Sequence, residues 1–244
     1  MALKLIINEL EKLCLENNID VTHGLDHALA VMNNALHAIP FYEGHITKRE
    51  KYLIQLAALL HDSDDAKYFP DNKDNENTRK ILTIDTTLTF EEIELIIFMI
   101  NQVSTSKNKD NIPEGYPLWV LLPRYSDRLE AIGLIGVERT LEYTRQINQP
   151  LFLESTPKAK TIQELALIAT PERYASYSST SISMFDHIYD KLLHTGNFPI
   201  KNKFFNNECK KRMKPLIDLS LKFGNSENGL TFDEIEQFII DNKQ

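Results

Sequence analysis

A threonine followed three residues later by a glutamate recurs along this chain, as Thr47 with Glu50, Thr89 with Glu92, Thr161 with Glu164 and Thr231 with Glu234. In such a capping box the threonine oxygen accepts from an early helix amide while the acid reaches back to the amide of the cap. Each pair therefore announces a helix. The apolar residues agree. Leu3, Ile6, Ile7, Leu10 and Leu13 fall at helical spacing, as do Ile93, Ile96, Ile97 and Ile100 behind Thr89. A long helical pattern covers Leu118 to Ile147, and Pro123 within it should either begin the helix or kink it just before Asp127. Polar connectors occupy 69–75, 104–111, 149–160 and 170–181. No segment alternates as a central strand would and no repeat is visible, so the pattern specifies an all-α fold.

At 244 residues, 42% of them hydrophobic and 25% charged, the chain can bury a substantial core. A formal net charge of −8 argues against a general nucleic-acid or anionic-membrane binder. Its two cysteines, Cys14 and Cys209, stand in unrelated contexts and suggest neither a disulfide framework nor a zinc knuckle; the pattern around Cys14 is that of a packed thiol. There is no signal-peptide core and no run of membrane-spanning length, so a soluble, cytoplasmic setting is expected. Only eight glycines occur, with no glycine-rich phosphate loop, which disfavours a P-loop or dinucleotide-binding fold.

The helix opened by Thr47 carries the most informative residues. Its apolar run, Leu53-Ile54-Gln55-Leu56-Ala57-Ala58-Leu59-Leu60, ends in His61-Asp62 and continues as Ser63-Asp64-Asp65-Ala66-Lys67. Imidazole and carboxylates at the end of a buried helix are poorly explained by packing, because such groups are seldom buried without a partner. A divalent cation would satisfy this mixture of ligands. His23 and His27 are four apart and share a face if the helix already includes His23; Gly24 between them makes His27 the firmer helical residue. Asp127, in Ser126-Asp127-Arg128-Leu129-Glu130-Ala131-Ile132-Gly133, is an acid amid mostly apolar helix positions.

The order His27, His61-Asp62, Asp127 resembles the HD superfamily of metal-dependent phosphohydrolases, an all-α fold named for its adjacent His-Asp pair. His-x-x-x-Val at His27, Ala-Ala-Leu-Leu-His-Asp at 57–62 and the segment 126–133 carry the likeness, and 126–133 is similar to a bacterial subgroup of small HD hydrolases that cleave nucleoside triphosphates. Ile182 to Leu193 is also similar to that subgroup, and the likeness covers positions 20 to 220. Pro123 departs from the subgroup's pattern.

The resemblance implies a single HD-type domain over 1–244, with a metal core over about 20–147 and a C-terminal helical part over about 160–244 completing the pocket. It implies that His27, His61, Asp62 and Asp127 hold one divalent ion, Mn²⁺ before Mg²⁺, Co²⁺, Ni²⁺ or Zn²⁺. Binuclear branches use further histidines between the His-Asp pair and the last aspartate, and this chain has none from Asp62 through Asp186. Asp65 and Lys67 are the implied catalytic residues, the first orienting water or shuttling its proton. His23, Lys107, Arg128, His187 and Lys191 are the candidate substrate contacts. The implied reaction is hydrolysis of a phosphoester or phosphoanhydride bond of a small-molecule nucleotide, a (deoxy)nucleoside triphosphate first, releasing pyrophosphate or phosphate. A guanosine tetraphosphate-type hydrolase and a non-catalytic nucleotide-sensing module are the rivals; oligomeric state stays open.

Overall fold

The computed structural model describes residues 2–20, 23–104, 108, 111–178 and 180–243. The fold is all-α, with no strand among the described residues. It divides into two compact units, Met1–Asp127 with Pro199–Phe205, and Arg128–Phe198 with Asn206–Gln244.

The first unit is built on α3 (Lys48–Leu60), against which α2 (Leu25–Ala38) and α5 (Phe90–Asn101) pack. Leu53, Ile54, Leu56, Ala57, Ala58, Leu59 and Leu60 are all buried. Its last two turns, buried on nearly every side, belong at the centre of the unit, and Ala57 and Ala58 are small enough for a neighbour to approach closely. α1 (Ala2–Glu16) covers this core with Ile6, Leu10 and Cys14, and α4 (Glu76–Leu82) contributes Ile81 and Leu82. The expectation of a packed Cys14 thiol holds: burial first, and the nearby Asp62 charge second, push its pKa up.

A 3₁₀ turn, Leu118–Leu121, leads into α6 (Leu122–Glu130), so Pro123 stands in the first turn, where its missing amide costs nothing. Arg124, fully buried, clamps α6 to the end of α5. Its Nε donates to the Gln102 carbonyl at 2.5 Å and its two terminal nitrogens to the Asn111 carbonyl at 2.8 Å and Gln102 Oε1 at 3.0 Å. The clamp fixes the register of Asp127, three residues on.

The expected long helix over 118–147 is broken. α6 stops at Glu130, Gly133 adopts φ +85°, and α7 (Leu134–Gln146) starts afresh. Only glycine takes that backbone conformation readily, and a Cβ there would stand 3.3 Å from Arg212 Cβ. Periodicity alone carried the pattern through a position that the backbone cannot pass as helix.

The second unit contains α7, α8 (Ile162–Ile168), α9 (Pro171–Ser176), α10 (Met184–His187), a π-helical turn (Ile188–Leu192), α11 (Leu193–Thr195), most of α12 (Lys203–Asn225) and α13 (Phe232–Asn242). Phe185 stacks on Phe223 at 4.0 Å between ring centroids, among buried Ile188, Tyr189 and Leu219. No helix among the described residues is long and apolar enough to cross a membrane.

Three of the four expected capping boxes close in full, at Thr47, Thr89 and Thr231. Thr161 caps its helix, but Glu164 takes the amide of Lys160 instead of that of Thr161. Thr170 caps α9 within a stretch read as a connector, and Ser183 caps α10 just beyond it. The Thr89 box does double duty, because Glu92 also binds the Arg49 guanidinium at 2.5 and 2.6 Å and so ties α5 to α3. Thr89→Ala should lower stability by about 1 kcal/mol, read as a lower urea midpoint with an unchanged slope; an unchanged midpoint would show that the cap contributes nothing.

Candidate metal centre

His61 terminates α3, and the last turn decides its chemistry. Its Nδ1 lies 2.9 Å from the Ala58 carbonyl. A carbonyl can only accept, so Nδ1 carries a proton, and Nε2 faces inward, where the neutral imidazole would offer its lone pair. His27, on the first turn of α2, meets it edge to face with ring centroids 5.1 Å apart. Asp62 follows His61 in chain, and Asp127 comes from the middle of α6. His27 Nε2 is 3.3 Å from Asp127 Oδ1 and 3.6 Å from Asp62 Oδ2. His61 Nε2 is 3.3 Å from Asp62 Oδ2 and 3.6 Å from Asp127 Oδ1. Three elements thus deliver the four expected ligands to one point in the first unit.

The two histidine side chains are 4% and 0% exposed, and the carboxylates 23% and 26%. Neither buried Nε2 has a hydrogen-bond partner, although carboxylate oxygens stand close by. Buried polar atoms are rarely left so, because desolvation without a partner costs about 1–3 kcal/mol each. Two neutral imidazoles and two carboxylates carry a charge of −2, which a divalent cation cancels. His27, His61 and Asp127 offer atoms all within 4.8 Å of one another, a spacing that mixed nitrogen–oxygen coordination can contract around one ion. The donor set fits a cation.

The electrostatics of the bare side chains say the same. Burial opposes a charge on His61, but the Asp62 and Asp127 carboxylates override it and hold its pKa well above the usual range. Burial likewise opposes ionisation of Asp127, yet His27 and His61 hold its carboxyl well below the ordinary value; Asp62 is lowered by His61 in the same way. The directions of these shifts favour positive charge at the site, as a bound cation would supply.

The residues after Asp62 divide their work. Asp64 is structural: it accepts from the Asn77 and Thr78 amides at 2.9 Å each, from Thr78 Oγ1 at 2.8 Å and from Asn72 Nδ2 at 2.8 Å, capping α4 from outside. Asp65 takes only the Lys67 amide, at 2.8 Å, among the described residues. Lys67 turns to Asp20, its Nζ 2.8 Å from Oδ2, and lies over the Tyr68 ring. Asp20 also accepts from Tyr68 at 2.5 Å and meets His23 Nδ1 at 3.3 Å. His23 lies before the start of α2, so it does not share a helical face with His27, although the rings are 6.3 Å apart. Asp20 was not singled out by sequence; its place three residues before His23 is the one signal that could have drawn attention to it.

Arg128 is buried and opens the second unit. In that unit His187 ends α10 and Lys191 lies in the π turn, each against Tyr177: the His187 ring is 5.6 Å from its centroid and Lys191 Nζ 5.8 Å. Lys107 lies outside the described residues.

No family model matches the chain. The fold is shared with solved all-α proteins that include an HD-superfamily hydrolase. It aligns with an HD-superfamily hydrolase from Bacillus thuringiensis at a TM-score of 0.56 and 18% identity, over 99% of this chain and 96% of that one. It aligns with Bacillus subtilis YpgQ in complex with ADP at a TM-score of 0.60 and 16% identity, over 92% and 97% of the two chains. The chain belongs to one family with the uncharacterized protein L803 of Acanthamoeba polyphaga mimivirus, being 38% identical to it over 225 residues, 86% of this chain and 91% of that one.

Two outcomes follow from this geometry. Mn²⁺ at a hundredfold excess over its dissociation constant should raise the melting temperature by about 5–10 °C, and Asp127→Asn should abolish the rise; an equal rise in the variant would place the ion elsewhere. His187 titrates separately. Burial, then the Lys191 charge, push its pKa down to about 4. The unfolded chain binds this proton below about 6.5, so the folded state loses stability as pH falls from there toward 4. Urea midpoints measured against pH should show that slope, flattened in His187→Gln; equal slopes would remove His187 as its source.

Proposed function

We propose that this protein is a metal-dependent phosphohydrolase acting on a nucleotide, a (deoxy)nucleoside triphosphate before others. The observation that carries the reading is the pair of buried, unpartnered Nε2 atoms converging with Asp62 and Asp127. His27, His61, Asp62 and Asp127 would hold the cation, which when bound polarises a phosphoryl oxygen and lowers the pKa of water. Support for a nucleotide comes from YpgQ, a protein of the same fold seen with ADP.

The chain's own groups do the rest. The Asp65 carboxylate, three residues beyond Asp62, accepts the proton of the attacking water as it closes on phosphorus. Lys67 stays protonated: burial works against its charge, but Asp20 and Tyr68 outweigh that and raise its pKa. Its contact with Asp20 is half-exposed, and exposed pairs contribute only about 0–1 kcal/mol. A phosphate can therefore draw the ammonium away from Asp20 at little cost and use it against developing negative charge. His23, Arg128, Lys107, His187 and Lys191 stand as proposed contacts to the rest of the substrate.

Phosphate and pyrophosphate release from a panel of nucleotides, with Mn²⁺, Mg²⁺, Co²⁺ or Ni²⁺, tests the reading. Turnover should require the metal and vanish in Asp62→Ala, whereas Asp65→Asn should lose about 10²–10⁴ in kcat and Lys67→Ala should chiefly raise KM. Absence of turnover across the panel, with metal and nucleotide both bound, would overturn the hydrolase and leave a nucleotide-sensing module.

A further inference from the structure

Helix α5 has two faces. Ile96, Ile97, Met99 and Ile100 are buried in the first unit, while Phe90, Glu91, Glu94, Leu95 and Phe98 recur at helical spacing on the other side. There Tyr116, from the stretch before α6, stacks on Phe98 with ring centroids 4.0 Å apart and planes at 17°. The helix face and the tyrosine wall an open-sided groove of about 450 Å³, inside the roughly 300–1,000 Å³ range of ligand clefts. We propose that this groove, which lies wholly in the first unit, is a docking site for a protein partner, taking a segment whose apolar side chains are flanked by lysine or arginine.

A lone exposed apolar residue needs no explanation, but here several meet. Phe90 is 71% exposed and Tyr116 45%. The capping box at the start of α5 uses Thr89 and Glu92, so the helix does not need an aromatic ring at Phe90. Ile112 and Leu118, in the same stretch as Tyr116, are exposed as well. Apolar surface gathered in this way, with polar groups at its edge, marks a place where another molecule sits.

Charge selects the occupant. The two charged residues lining the groove, Glu91 and Glu94, are both carboxylates, and no described residue lining it is basic. Glu94 shares the Arg79 guanidinium with Asp74, which leaves that trio net negative, and Glu91 adds its own charge. A lysine or arginine suits such a wall twice over, because its stem lies along Leu95 and the rings while its cation meets the carboxylates or an aromatic face. The net charge of −8 also draws a basic partner in from a distance. Nucleic acid and anionic membrane are repelled from this face. So is a second copy of the chain, since a two-fold contact through the groove would bring two sets of carboxylates together.

The test selects phage-displayed random peptides on the full-length chain, then titrates the enriched sequences by fluorescence anisotropy against variants whose fold is confirmed by circular dichroism. Enriched peptides should combine apolar residues with an excess of lysine and arginine, and should bind more weakly as salt rises. Phe90→Ala, which removes an exposed ring that the cap does not use, should weaken them about tenfold. Glu91→Gln should weaken them about two- to fivefold, whereas Glu142→Gln, the same change at an exposed position of α7, should leave them unaffected. A selection that yields no binder, one with no basic excess, or equal affinity for wild type and Phe90→Ala would overturn the proposal. Sedimentation supplies the remaining outcome: a wild type that dimerises, with Phe90→Ala staying monomeric, would assign the groove to a second copy and overturn it too.

Discussion

Two imidazoles and two carboxylates withdrawn from water at the end of α3 are the constraint around which the first unit is organised. Removing such groups from solvent is costly unless charge is returned to them. In the bare side chains the compensation is internal, with His61 drawn toward its charged form and Asp127 held in its own. A dication would do this more completely, because the two buried Nε2 atoms would both be available to hold it. The surroundings serve that end. Ala57 and Ala58 leave room for α2 to bring His27 near, the Ala58 carbonyl fixes the tautomer of His61, and buried Arg124 locks the helix that presents Asp127.

Past the doublet the side chains take different partners. Within five residues Asp62 faces the centre, Asp64 caps α4, Asp65 stands nearly unengaged and Lys67 is parked on Asp20. Parking matters physically. A lysine paired with an exposed carboxylate stays charged and near, yet is released at small cost when a phosphate competes for it. Asp64 meanwhile ties the loop to the start of α4.

The candidate centre was legible in sequence because its residues sit where helical periodicity breaks its own rule. His61-Asp62 ends an otherwise apolar helix, and Asp127 interrupts an apolar face; an acid in such a place signals a partner. The helices were legible for a related reason, since a capping threonine and its glutamate act within four residues. What stayed hidden depends on distant chain. Asp64 and Asp65 look alike in sequence, and only the placement of α4, whose Asn77 and Thr78 amides reach Asp64, tells the strut from its neighbour. The partner of Lys67 is Asp20, 47 residues away. The break at Gly133 was missed because the apolar pattern runs on regardless, while the positive φ is a property of backbone. Glu164 shows the same limit at close range: the residue types of a capping box were present, but the carboxylate chose the amide one position earlier.

The most direct measurement of the central claim is the anomalous scattering of Mn²⁺ in crystals of the protein. The account predicts a strong peak at coordination distance from His27 Nε2, His61 Nε2 and the carboxylates of Asp62 and Asp127. Well-occupied Mn²⁺ elsewhere on the chain, with no density among these four side chains, would contradict it.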